Sequence, residues 1–105
     1  MHHPPFACGI GFMDPIRLAP DDARALDALL RQHPNVERVV CGHLHRAITV
    51  RFGGTVAWCA SSTAHQVALK LTPDAPDSIT MEPPAFGVHL SRAETGLVTH
   101  CVSVD

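Results

Sequence analysis

The sequence has 105 residues, which bounds it to one domain or to part of a larger one. Hydrophobic residues make up 46% and the net charge is -2, so a core is available and the basic face of a nucleic-acid module is not. No apolar run approaches the roughly 18 residues of a membrane span, and His-His-Pro-Pro after Met1 is no basic signal region, so the chain reads as cytoplasmic by default.

His2 to Pro5 cannot be helical, because each proline lacks an N–H and biases its predecessor toward extended backbone. Gly9 and Gly11 carry this loop on to about Ala19. A helix is expected from Pro20, which suits a first helical position, with Asp21 and Asp22 at the positive end of the helix dipole. Ala23, Leu26, Leu29 and Leu30 form its apolar stripe, and Pro34 stops it after His33.

Val36 to Cys41 reads as a short buried strand. After the corner Gly42-His43-Leu44-His45, the runs Ala47 to Phe52 and Thr55 to Ala60 flank Gly53-Gly54, a two-residue hairpin turn. A strand is expected from Gln66 to Leu71, then a polar turn over Pro73 to Ser78 and a strand from Ile79 to Glu82. Phe86 to Leu90 and Leu97 to Val104 read as a final pair around Ala93 to Gly96. The order is α/β and strand-rich, and one helix cannot cover both faces of so many strands, so apolar sheet surface should lie open. Cys8, Cys41, Cys59 and Cys101 are widely spaced without a C-x-x-C pair and read as reduced, mostly buried thiols.

The histidines carry the chemistry. In a strand His43 and His45 would point to opposite faces, whereas at a corner both rings can converge on one pocket. Gly42 permits the tight backbone this needs, and imidazole is a common neutral ligand for divalent metals. Two surface histidines in a polar turn are the plain alternative. For His2 and His3 the alternative is a frayed terminus or an expression artefact. No nucleophile elbow, P-loop or dinucleotide fingerprint is present.

Taken together, MHHPPF, the GHLH box some forty residues later and ASSTAHQVAL beyond it resemble the C-terminal half of calcineurin-like metallophosphoesterases, especially the bacterial cyclic-nucleotide (3',5'-cAMP) phosphodiesterase branch. The resemblance runs on through EPPAFGVHL and GLVTHCVSV. It implies a four-layer αββα sandwich, of which residues 1–105 would be a partial domain. It further implies a centre of two divalent metals (Mn, Fe, Zn or Co), with His2 and His43 on one ion and His45 on the other. His3, a catalytic rather than a ligating residue, would either support the metal ligands from behind or face the substrate. The implied reaction is hydrolysis of a cyclic nucleotide or another small phosphodiester.

The family's Asp-x-His, Gly-Asp and Gly-Asn-His boxes are absent from this sequence. The expectation is therefore a fragment of a longer enzyme or a truncated gene product, with partial or no metal occupancy and little or no activity alone. The competing class is a non-catalytic module that covers its exposed strands by self-association, as a homo-oligomer or swapped dimer. A small structural zinc domain would need a fourth ligand, which the sequence does not single out.

Overall fold

In the computed structural model, which describes residues 1–104, the first two residues run beside the strand β1 (Arg38–Cys41). The Met1 backbone nitrogen donates to Val40 O and Gly42 N donates to His2 O, each at 3.0 Å. The Pro4-Pro5 segment then turns into the core, where Pro4 is fully buried. A 3-10 turn at Asp14–Ile16 interrupts the expected loop, and the Asp14 carboxylate accepts hydrogen bonds from Cys8 N and Gly9 N.

Helix α1 spans Pro20–Arg31, with Pro20 at its first position and Asp21 and Asp22 in its first turn. It ends two residues before the expected His33. Gln32 N reaches back to Leu29 O and His33 N to Leu30 O, tightening the last turn, because Pro34 disfavours helical backbone at His33. Val36 N bonds His33 O in the turn that follows, so β1 starts at Arg38 rather than Val36.

Strands β2 (Ile48–Phe52) and β3 (Thr55–Cys59) form the expected hairpin around Gly53-Gly54. Both glycines have positive φ, +62° and +78°, the backbone that a two-residue turn of this hand requires. The sheet order is β1-β3-β2, with β1 parallel and β2 antiparallel to β3. Asp27 joins helix to hairpin, since its carboxylate accepts from Gly53 N at 2.8 Å while also pairing with Arg31.

The next strand is shorter than expected. β4 covers only Gln66–Val67, paired with β5 (Ile79–Thr80), because Lys70 N bonds back to Ala68 O in a tight turn that takes the chain off the ladder. The expected continuation to Leu71 is therefore absent, and Leu69 and Leu71 are exposed. β5 likewise stops before Glu82, ahead of Pro83-Pro84.

β6 (Ala85–Arg92) and β7 (Gly96–Ser103) form a separate ribbon, in which β6 is longer than expected and β7 starts and ends one residue earlier. One face sits on Trp58 of β3. A Cβ at Gly87 would lie 2.3 Å from the indole ring, so only glycine allows this approach. His89 meets the same ring edge-on at 5.3 Å, and Arg38 of β1 bonds Thr99 Oγ1 and Leu97 O. The other face exposes Phe86, Val88, Leu90 and Val102, in keeping with the open apolar surface expected from the order of elements.

The core gathers Phe6, Ile10, Met13, Cys41, Leu44, Ala57, Cys59 and Val67. Of the cysteines, Cys41 and Cys59 are buried, Cys8 is half-buried and Cys101 is exposed. No described helix is long and apolar enough to cross a membrane.

Candidate metal centre

The site is built on the corner between β1 and β2. Leu44 is its anchor: it is fully buried while the histidines on either side of it remain partly accessible. Burying a leucine side chain contributes roughly 1.5–3 kcal/mol, enough to fix the middle of a short corner. His43 and His45 both adopt left-handed backbone, with φ of +70° and +50°. Residues with a Cβ rarely take that region, and such outliers gather at functional sites. Gly42 is held from two sides, its N–H by His2 O and its carbonyl by the Cys59 thiol at 3.0 Å.

This backbone brings His2, His3 and His43 together, with one ring nitrogen from each lying within 4.8 Å of the others. His2 Nε2 is 3.1 Å from His43 Nδ1. Two nitrogens bound to one ion at about 2.05 Å stand about 3–3.4 Å apart, so the observed spacing suits a shared metal as well as a hydrogen bond. The His3 ring lies 4.4 Å from that of His43 and 4.9 Å from that of His2. His43 Nε2 is buried without a hydrogen-bond partner, an arrangement that costs free energy unless something else satisfies it. Burial, and then the rings of His3, His2 and His45, push the His43 imidazole below its usual pKa. The neutral form, the one that can bind a metal, is favoured.

His45 stands outside this trio. Its ring packs 4.8 Å from that of His65, and its Nδ1 lies 3.1 Å from His65 O. A carbonyl only accepts, so Nδ1 carries the proton and Nε2 is left with a free lone pair. Of the four residues named from the sequence, three thus form one cluster and the fourth faces a neighbouring position. His65 falls within the ASSTAHQVAL stretch but is not among those four residues. The partners of the next residue, Arg46, left no sequence signal. Its guanidinium bonds Val67 O and both carboxylate oxygens of Glu82.

In the buried thiol pair beneath the corner, the mutual hydrogen bond, together with burial, raises Cys41 above its ordinary pKa, and the same bond lowers Cys59. Burial pushes the Cys8 thiol up to about 11.

No protein-family model matches the chain. It is similar to a probable glycerophosphodiester phosphodiesterase of Arcobacter nitrofigilis, 40% identical over 100 residues, or 95% of this chain and 36% of that protein. A probable cyclic nucleotide phosphodiesterase of Rhodopseudomonas palustris is 35% identical over 94% of this chain and 35% of its own length. A glycerophosphodiester phosphodiesterase of Enterobacter lignolyticus is 33% identical over 90% of this chain and 33% of its own. The chain spans about a third of the length of the curated relatives it matches. Over nearly its whole length the chain is thus similar to phosphodiesterases, which is consistent with the resemblance of its two histidine boxes to the calcineurin-like metallophosphoesterases.

Proposed function

We propose that this chain supplies part of a dinuclear metal centre that hydrolyses a small phosphodiester. In this reading His2 and His43 bind one ion, His45 binds the other through Nε2, and His3 faces the substrate. The observation that carries it is the 3.1 Å approach of His2 Nε2 to His43 Nδ1, beside the unpartnered His43 Nε2. The donor set fits: neutral imidazoles suit Mn, Fe, Zn and Co alike. Such ions, when bound, polarise the phosphate oxygens and lower the pKa of water.

The chain's own residues orient and hold. Leu44 and Gly42 fix the corner, His65 O sets the proton on His45 Nδ1, and His3 is within reach of the same space. The relatives carry both glycerophosphodiester and cyclic nucleotide in their names, so the substrate class here is a phosphodiester of small size.

In the same reading, residues 1–105 are a partial domain of the four-layer sandwich. The exposed Phe86, Val88, Leu90, Leu69 and Met81 support a fold with further layers to pack on them. The family's carboxylate and asparagine boxes are absent from the sequence, so the isolated chain turns over little or no substrate.

Calorimetric titration of the chain with Mn²⁺ tests this. At most one weak site is expected, lost in His43→Ala. Two tight, stoichiometric sites per chain would overturn the partial-centre reading, and an unaltered isotherm in His43→Ala would overturn the ligand assignment. Hydrolysis of bis(p-nitrophenyl) phosphate with Mn²⁺ should stay at background for both proteins.

A further inference from the structure

Two residues with a Cβ, His43 and His45, hold positive φ with a single residue between them. Each carries a roughly five- to thirtyfold bias against that conformation, so something must hold it. Upstream the restraints are plain: buried Leu44, the hydrogen bond from Leu44 N to Gly42 O at 2.8 Å, and the bonds on both sides of Gly42. Downstream, β2 does not begin until Ile48, so the backbone of His45 is not held in the ladder.

Arg46 bridges this gap. Its Nη1 donates to Val67 O at 2.7 Å and to Glu82 Oε1 at 3.0 Å, and its Nη2 donates to Glu82 Oε2 at 3.1 Å. Val67 lies on β4 and Glu82 follows β5, so one side chain grips both arms of the second sheet. The Arg46 side chain is only 17% exposed, which limits the screening that weakens surface pairs. His45 is tied to the same segment, through His65 O.

We infer that Arg46 is a positioning residue: its fork on Glu82 and Val67 holds His45 in left-handed backbone and so presents Nε2. The purpose of that presentation rests on the metal-centre reading above, but the restraint itself does not. A planar guanidinium meets a carboxylate with two parallel bonds, which a lysine cannot reproduce.

The test compares His45→Gly with His45→Ala in the full chain by urea unfolding, first with Arg46 present and then in Arg46→Met. Both substitutions remove the imidazole, so the difference between them reports the backbone alone. With Arg46 present, glycine should be favoured by about fivefold or more in the folding equilibrium. In Arg46→Met the corner relaxes to negative φ and the preference vanishes or turns toward alanine. A role confined to stability would lower both forms equally, so a glycine preference that persists undiminished overturns the proposal.

If Arg46→Met does not fold, Glu82→Gln, which leaves the bond to Val67, replaces it and should reduce the preference. Arg46→Lys should fall with the broken forms rather than the intact one. Co²⁺ titration of the unaltered chain is run alongside. Two tight Co²⁺ sites per chain would sink the proposed function, while the glycine–alanine comparison still decides the role of Arg46.

Discussion

His2 Nε2 lies 3.1 Å from His43 Nδ1 although 41 residues separate them in the chain. The approach is made by two backbone bonds, Met1 N to Val40 O and Gly42 N to His2 O, which lay the first residues along β1. The expected consequence is that His2→Ala weakens Mn²⁺ binding as severely as His43→Ala. Loss of groups that merely orient a ligand already costs about 10–100-fold, so each ligand loss should reach about a hundredfold. His3→Ala, if His3 faces substrate, should cost less than about tenfold on the same scale. Equal losses in all three variants would make His3 a ligand too.

The low pKa of His43 has a pH signature. Burial and the neighbouring imidazoles hold it below its ordinary value of 6.5 in the folded protein, so the unfolded chain binds its proton first as pH falls. The stability this group allows is complete above pH 6.5 and declines as pH drops through the folded value. His43→Asn should flatten that part of a urea-midpoint profile taken in chelator between pH 7.5 and 5. A profile of unchanged slope would contradict the assignment.

Asp27 works at lower pH. Arg31, and then the Gly53 N–H, hold its carboxyl below its ordinary value of 3.8. Its contribution is therefore present above that value and is lost as pH falls through the folded pKa. Asp27→Asn should lower the urea midpoint at pH 7 and have a smaller effect near pH 3. An equal loss at both pH values would assign the effect to packing instead.

Gly87 tests the seat of the β6–β7 ribbon. A methyl group there would lie 2.3 Å from the Trp58 ring, so the ribbon or the indole must shift. Gly87→Ala is expected to destabilise by about 1–3 kcal/mol, as overpacking does. Trp58→Phe, which frees space, should recover part of that loss in a double-mutant cycle. Additive effects would place the clash elsewhere.

What the sequence determined by itself was local chemistry. Pro20 with Asp21 and Asp22 began the helix, Gly53-Gly54 turned the hairpin, and the two histidine boxes marked the site. Each depends on a residue's own backbone preference or on near neighbours, so it is legible in a short window. The tertiary structure alone decided what comes from distant segments. The tight turn at Ala68–Lys70 ended β4 early, although the alternation to Leu71 suggested a longer strand. The ribbon settled on Trp58 because Gly87 leaves room for it. The histidines divided into a trio with His2 and a separate His45 beside His65, since buried Leu44 and two left-handed residues set where each ring points. The grip of Arg46 on Glu82, 36 residues away, has no trace in any short window, because an ion pair is a fact of space rather than of spacing.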